Sequence, residues 1–409
     1  MMNLSKNAQS TTMYIICFMV VLTIAAMDLF VPSLPAMMDY FNVDKSDVQW
    51  LVAIYMFGFS LAHVFFGALS DFYGRRPVLL SGLIIGVIGS LMIVITSSFS
   101  VVILGRLLQG VGFAAISLLS RTILRDYFKD EMLAKAGSTV GIVASITVGL
   151  APSVGGLTQL LGSWKIGFLL ILLLAVITLV LVYYRLPETM SQEVEQHEKL
   201  SLKYEINHYL KVLFNSKFIM NTLLAGLAFG GMLAYAILGP FIIQNQLHFN
   251  SFEFGLLSVL IALVQIMGYK VNGKIVTKCG LVNNMMLGSA SFLLAGVLLI
   301  CAALLDMLNI YSLMLGLFLF VFGTGFIYSN AYSAAFSLFD AKVGNVAAVY
   351  GLVQIGCAFL VSSIFIMLPS KTMLILGLSY VVLAIASFLI LTYEKNASRS
   401  SGLQAGQQG

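Results

Sequence analysis

Twelve long apolar runs dominate this 409-residue sequence. They cover residues 14–37, 48–69, 78–96, 101–121, 135–160, 164–185, 218–241, 253–275, 281–301, 311–334, 344–367 and 372–392. Each is long enough for a helix to cross the hydrocarbon core of a bilayer, which needs about 20 apolar residues. Only 10% of the residues are charged, whereas soluble domains average about 25%. The sequence therefore predicts an all-α membrane protein with twelve transmembrane helices.

The basic residues are divided unevenly between the two sets of loops. Twelve spans place both termini on one side of the membrane. If that side is the cytoplasm, only Lys45, Lys165 and Lys371 lie in outer loops, Arg106 lies within a span, and the other eighteen of the 22 Lys and Arg are on the inner side. The positive-inside rule therefore predicts cytoplasmic termini. The scatter of these charges through short loops also argues against a nucleic-acid partner.

The one long polar stretch divides the spans into two sets of six. The predicted organisation is an N-terminal six-helix half (1–185), a cytoplasmic linker (186–217), a C-terminal six-helix half (218–396) and a disordered cytoplasmic tail (397–409). The tail is rich in Ser, Gly and Gln, which is typical of disordered segments.

The two halves share a sequence signature. Gly67 and Gly74 follow the second span and Gly273 and Gly280 follow the eighth, with the same seven-residue separation in each pair. Duplicated six-helix halves are a recurrent transporter plan, with the solute site near the midplane between them. The expected fold therefore has two pseudo-symmetric halves.

Only one acidic residue, Asp28, lies well inside a predicted span. Pro32 and Pro35 follow on the same helical face, so a kink is expected beside the acid. A charged group at a helix centre costs about 2.5–3.5 kcal/mol, and such groups usually face an aqueous cavity or a partner. Asp28 is therefore the candidate for proton or cation coupling; the alternative is a permanently ionised Asp28 paired with Arg106 for structural reasons.

Arg106 is the one basic residue similarly placed, in the fourth span, with Gln109 one turn later on the same face. Arginine does not deprotonate usefully. We expect it to act electrostatically in proton coupling, by stabilising a nearby carboxylate in one conformation and releasing it in another. A side chain that extends to the outer interface is the alternative.

Polar residues within other spans are candidates to line a substrate cavity. They are Tyr55, Gln109, Tyr235, Gln265, Tyr328, Asn330 and Gln354. His63 can also titrate, but a single His in such a helix more often serves packing. The fifth span ends in Gly149, Pro152, Gly155 and Gly156, a pattern that favours a helix bend and close helix contact.

Several function classes are excluded by missing motifs. The sequence contains no HExxH, GxxxxGK[ST] or GxSxG pattern, so we expect neither an enzyme nor a nucleotide partner. The four cysteines show no metal-ligand spacing, and no metal or other cofactor is expected.

The segment Gly67-Ala-Leu-Ser-Asp71-Phe-Tyr-Gly74-Arg75-Arg76-Pro77 resembles the loop 2–3 signature of the major facilitator superfamily. Arg106-Leu-Leu-Gln109-Gly110-Val-Gly112 is similar to the fourth-span motif of its proton-coupled members. The fifth-span ending resembles the antiporter motif, except that Ala151 stands where glycine normally precedes the proline.

Within the superfamily, Asp28-Leu-Phe-Val-Pro32-Ser-Leu-Pro35 resembles the Bcr/CflA-type drug–proton antiporters, and Arg121-Thr-Ile-Leu-Arg125-Asp126 fits the same group. The resemblance implies a bacterial inner-membrane efflux antiporter, active as a monomer, that exports apolar or cationic drugs by alternating access. The proton gradient supplies the energy, with coupling by Asp28 and Arg106. A dedicated metabolite or siderophore exporter on the same fold is the alternative.

The loop signature also suggests a cytoplasmic latch formed by Gly67, Asp71, Gly74, Arg75, Arg76 and Asp126. Asp71 can accept hydrogen bonds from the free N–H groups that begin the eleventh span near Gly344 and Asn345, and Arg75 can pair with Asp126. The second copy, Gly273–Gly280, lacks the acid and the arginine pair, so one strong latch is expected.

Overall fold

The computed structural model describes residues 6–128, 130–189, 209–339, 343–368 and 372–405, and every regular element within these ranges is a helix. The main helices are α1 (Lys6–Asp28), α2 (Lys45–Tyr73), α3 (Arg75–Ile95), α4 (Phe99–Tyr127), α5 (Asp130–Leu160), α6 (Trp164–Arg185), α7 (Ser216–Pro240), α8 (Ser251–Cys279), α9 (Leu281–Leu304), α10 (Ile310–Phe336), α11 (Val343–Ile366) and α12 (Thr372–Ala405). Twelve spans within them are long and apolar enough to cross a membrane. The predicted all-α, twelve-span fold is confirmed.

Two spans change helix type near one end. A 3-10 turn (Val31–Ser33) and a short helix (Leu34–Phe41) continue the first span after α1, and a π-helix (Phe241–Gln246) continues α7. Pro32 has no N–H to donate to the carbonyl of Asp28, four residues earlier. The regular helix of α1 therefore ends at the acid.

Helix contacts repeat with a shift of six helices. α2 packs on α4 as α8 packs on α10, and α3 packs on α6 as α9 packs on α12. α1 contacts α4, α5 and α6, and α7 contacts α10, α11 and α12. The two main seams between the halves are α2 with α11 and α5 with α8. Adding six to α2 gives α8, and subtracting six from α11 gives α5, so the symmetry relates one seam to the other. The structure therefore consists of two pseudo-symmetric six-helix halves.

The bundle has two ends. The termini face is the end where α1 begins and α12 ends, and the opposite face is the other. Helix α12 continues to Ala405, so the prediction of a disordered tail over 397–409 is not matched as far as that residue. Residues 397–405 contain no proline, and extending an existing helix is easier than starting one. Residues 406–409 and most of the predicted linker (190–208) lie outside the described residues.

Candidate functional site

A cavity of about 470 Å³ lies between the two halves. Both halves contribute to its polar lining, which comprises Asp28, Ser117, Arg121, Tyr235, Ser258, Gln265, Tyr269, Tyr328 and Gln354. Methionine and phenylalanine side chains provide much of the remaining wall, among them Met27, Met56, Phe59, Met232 and Phe254. Such flexible and aromatic apolar walls suit ligands of varied shape.

Asp28 reaches this cavity because it is the last residue of α1. Its side chain is half-buried, and no group in the described part of the chain forms a hydrogen bond or ion pair with its carboxylate. The carboxylate is thus available to a proton or to a solute in the cavity.

Arg106 is completely buried, with 0% of its surface exposed. Its Nη1 donates to the carbonyl oxygen of Ala26 at 2.9 Å, and its Nε donates to that of Leu51 at 3.1 Å. The guanidinium lies 4.1 Å from the ring centre of Phe30 and 4.3 Å from that of Tyr55. Ala26 belongs to the last turn of α1, where carbonyls lack helical partners and the helix dipole attracts a cation.

Arg106 and Asp28 therefore form no ion pair in this structure. The guanidinium instead holds the backbone of α1 two residues before the acid. Nη1 also donates to Gln109 Oε1 at 2.8 Å, and Gln109 Nε2 donates to Ser90 Oγ at 2.8 Å. This chain of bonds ties α1 through α4 to α3 and fixes the position of the helix end that carries Asp28.

Three of the seven predicted cavity residues do not line the cavity. Tyr55 packs against the Arg106 guanidinium and Gln109 bonds to it, so both contribute to the Arg106 cluster instead. Asn330 Nδ2 donates to Asn272 Oδ1 at 2.8 Å, and this amide pair joins α8 to α10. Polar residues in spans satisfy one another as readily as they face a cavity, and the sequence does not distinguish the two.

The end of α5 seals the opposite face. The α5 helix continues through Pro152 to Leu160 without interruption, so the predicted bend is not a break in the helix. A Cβ atom added at Gly155 would lie 1.7 Å from the carbonyl oxygen of Leu29, and one at Gly149 would lie 3.3 Å from Ala262 Cβ. These glycines allow α5 to contact α1 and α8 closely.

The halves are joined at or near the opposite face by hydrogen bonds that include the following four. Ser153 Oγ donates to the Gly255 carbonyl (2.8 Å), Ser251 Oγ to that of Gly156 (3.0 Å), Gln244 Nε2 to that of Pro32 (2.8 Å) and Gln49 Nε2 to that of Ile237 (3.1 Å). The cavity is closed on this side.

The loop signature between α2 and α3 forms a charge cluster at the termini face. Arg75 pairs with Asp71, and its Nε lies 3.8 Å from Asp126 Oδ2. Glu188, which follows α6, accepts the backbone N–H groups of Arg75 and Arg76 at 2.9 and 3.0 Å. A carboxylate at the start of a helix offsets its free N–H groups. The role of Glu188 in this cluster was not predicted. The sequence feature that could have indicated it is the position of this acid directly after Pro187, at the end of the sixth span.

The other members of the predicted latch surround this cluster. Arg76 Nη2 donates to the Tyr183 carbonyl at 2.7 Å. Gly74 has a positive φ of 91° at the turn. A Cβ at Gly67 would lie 3.1 Å from Ala348 Cβ of α11. The ion pairs therefore lie within the N-terminal half, and Gly67 contacts the other half. The predicted hydrogen bonds from the N–H groups near Gly344 and Asn345 to Asp71 stay a prediction.

Comparison with known proteins matches residues 16–365 to the Major Facilitator Superfamily. The chain belongs to this superfamily. This major facilitator is 26% identical to the "Bicyclomycin resistance protein homolog" of Haemophilus influenzae, over 96% of this chain and all of that protein. It is 27% identical to "Multidrug resistance protein D" of Escherichia coli, over 92% and 93% of the two chains. The predicted resemblance to the superfamily and to its Bcr/CflA group is confirmed.

Among solved structures, this major facilitator is similar to a D-xylose–proton symporter, with a TM-score of 0.73 and 16% identity over 93% of this chain and 97% of that one. The xylose transporter XylE of E. coli in a partially occluded inward open conformation also gives 0.73, with 14% identity over 96% and 98% of the chains. These likenesses show the shared fold. The protein is a membrane transporter of small molecules, and the prediction that it is not an enzyme is confirmed.

Proposed function

We propose that this major facilitator is a proton-coupled antiporter that exports apolar or cationic drugs and toxic small molecules across a bacterial inner membrane. Relatives named for bicyclomycin, chloramphenicol and multidrug resistance support export of toxic compounds. The observation that carries the proposal is Asp28, a carboxylate without a bonding partner in the described part of the chain, in the wall of the cavity between the two halves.

The termini face is the cytoplasmic side in this proposal, because eighteen basic residues lie on that side and three on the other. The opposite face is then periplasmic. The contacts between α5 and α8 then close the periplasmic end of the cavity.

Proton exchange follows from competition for one carboxylate. When the cavity faces the cytoplasm, deprotonated Asp28 accepts a substrate; when it faces the periplasm, a proton binds and displaces that substrate. Arg106 acts as a positioning residue, since it holds the end of α1 and makes no bond to the acid. The charge cluster of Asp71, Arg75 and Asp126 stabilises the cytoplasmic end of the N-terminal half and takes part in closing that end.

The test is Asp28→Asn in proteoliposomes with an imposed pH gradient and chloramphenicol as the probe. We expect substrate-driven proton movement to fall at least tenfold, because the amide cannot take up a proton. Asp39→Asn is the matched control: Asp39 is an exposed residue of the same span outside the cavity lining. Unchanged proton flux in Asp28→Asn would refute the coupling role.

A dedicated metabolite or siderophore exporter is the second candidate, since the same fold and cavity can serve drug export or metabolite export. Susceptibility of a pump-deficient bacterium distinguishes the two. Resistance to several unrelated toxins that is lost in Asp28→Asn supports drug export. Transport activity without any resistance phenotype supports the metabolite carrier.

A further inference from the structure

A second, smaller cavity of about 60 Å³ adjoins the central one on its termini-face side. The two cavities share Ser117, Arg121, Gln354 and Ile355 in their walls. A molecule that occupies the central cavity can therefore extend into the smaller one without crossing a helix.

Two arginines of α4 line this smaller cavity. Arg121 and Arg125 are four residues apart and lie on one helical face. No carboxylate in the described part of the chain lies within ion-pair distance of either guanidinium. Asp126, the acid next in sequence, is engaged elsewhere: it lies 3.8 Å from Arg75 Nε and accepts a hydrogen bond from Thr189 Oγ1 at 2.9 Å.

The described residues of the facing wall offer hydrogen-bond donors and include no acid. It includes Tyr332 of α10 and Tyr350 of α11, whose rings meet edge to face at 5.4 Å. His63 of α2 is 5% exposed, and its Nδ1 lies 2.8 Å from the Phe59 carbonyl. We call His63, Arg121, Arg125, Tyr332, Tyr350 and Gln354 the vestibule.

The vestibule and Asp28 lie at opposite ends of the combined cavity. Arg106 bonds to α1 two residues before Asp28, and Arg121 is fifteen residues further along the same helix, ~22 Å at 1.5 Å per residue. The deep end thus carries one negative side chain, and the end at the termini face carries two positive ones.

We propose that Arg121 and Arg125 form an anion-binding vestibule that recognises a carboxylate on the substrate while the apolar body of the substrate occupies the central cavity. Guanidinium groups match carboxylates in a bidentate geometry. Arg121 is exposed and Arg125 is half-buried, so both guanidinium groups can be reached by a solute, and charge-assisted hydrogen bonds to a carboxylate are stronger than those to a neutral group. The inference rests on the proposed function and narrows its substrates: apolar acids and zwitterions gain a contact that purely cationic compounds do not.

The test is fluorescence titration of the purified full-length protein in nanodiscs with three dansyl probes. Dansyl-phenylalanine is an anion, its methyl ester is neutral and dansyl-cadaverine is a cation. The variants are Arg121→Gln/Arg125→Gln and Arg121→Lys/Arg125→Lys, with Arg185→Gln as the control because Arg185 is an exposed residue at the end of α6 outside both cavities.

We expect the unaltered protein to bind the anion at least tenfold more tightly than the ester. The glutamine variant should lose about tenfold in affinity for the anion and less than twofold for the ester, the lysine variant should lose less, and Arg185→Gln should lose nothing. An anion that binds no better than the ester, or equal losses for both probes, overturns the proposal. Proton-coupled transport of the ester in the unaltered protein tests the proposed function separately, and it can succeed where the vestibule fails.

Discussion

The two seams between the halves are built differently. In the α5/α8 seam, a Cβ added at Gly156 would lie 2.1 Å from the carbonyl oxygen of Ser251, and one at Gly255 would lie 2.5 Å from that of Pro152. These contacts occur only toward the opposite face. Nearer the termini face, nothing lies within 4 Å of a Cβ at Gly141, and a cavity of about 600 Å³ separates the helices.

The α2/α11 seam stays in contact as far as the termini face. Ser60 Oγ donates to the Leu352 carbonyl at 3.3 Å, and the ring of His63 covers Gly351. Both seams contain serine hydrogen bonds to carbonyl oxygens, but Gly351 lies against a side chain, whereas Gly156 and Gly255 lie against backbone atoms. A side chain can repack more easily than backbone can. The comparison indicates that rocking of the halves separates the α5/α8 seam at one end and shifts the α2/α11 seam along its length.

The hydrogen bonds between the halves at the closed end contribute little energy. Hydrogen bonds between membrane helices average about 0.6 kcal/mol each in double-mutant cycles. The four bonds between the halves at that end therefore contribute only ~2–3 kcal/mol. Substrate and proton binding can reverse an equilibrium of this size.

The largest effect is expected from Gly156→Val. Overpacking a close contact costs about 1–3 kcal/mol, which matches what the four hydrogen bonds supply, so the closed end should open and transport should fall at least tenfold. Spin labels at Ser46→Cys and Asn245→Cys, in a background without native cysteines, measure the separation of the halves at the opposite face. We expect the distance distribution to shift to longer values.

Gly141→Val is the matched control on the same helix, where a Cβ meets nothing. It should leave both the distance distribution and transport within twofold of the parent protein. A similar shift in the two variants would mean that α5 responds to bulk anywhere along its length, and the contrast between the ends of the seam would be lost.

Much of this architecture is predictable from the sequence. Apolar runs of about 20 residues fix the number of spans because the bilayer imposes the length, and the shared glycine spacing predicts the two halves. A single acid in an apolar helix identifies Asp28 because lipid tolerates such a group poorly. Each of these inferences uses only the properties of the bilayer and the sequence of a single helix, without knowledge of how the helices pack.

The partners of buried polar groups were not predictable. The sequence allowed an ion pair between Arg106 and Asp28, but the guanidinium bonds to the Ala26 carbonyl of α1 and the Leu51 carbonyl of α2 instead. Which carbonyls are free depends on where a helix ends in three dimensions. Helix packing in three dimensions also decides two other contacts. It places Asn330 beside Asn272 rather than in the cavity wall, and it brings Glu188, which follows α6, to the start of α3.

An intermediate effect is expected where the repeated signature meets the α2/α11 seam. A Cβ at Gly67 would lie 3.1 Å from Ala348 Cβ and 3.1 Å from the Tyr209 hydroxyl, whereas nothing lies within 4 Å of one at Gly273. Gly67→Val should therefore reduce turnover two- to fivefold, and Gly273→Val should leave it unchanged. Initial rates of chloramphenicol efflux measure both. Equal rates in the two variants would show that the copies carry equal constraint, contrary to their packing.

The smallest effect is expected from Glu188→Gln, which acts within one half and touches neither seam. The carboxylate accepts two N–H groups at the start of α3; a neutral amide loses its attraction to the helix dipole, which is worth about 0.3–1 kcal/mol at an exposed site. The melting temperature of the purified protein should fall slightly, while the spin-label distance at the opposite face stays the same. Glu131→Gln, at an exposed acid near the start of α5, controls for the loss of charge alone. A changed distance in Glu188→Gln would mean that the charge cluster at the termini face is coupled to the α5/α8 seam, and the two ends of the molecule would then have to be treated as one switch.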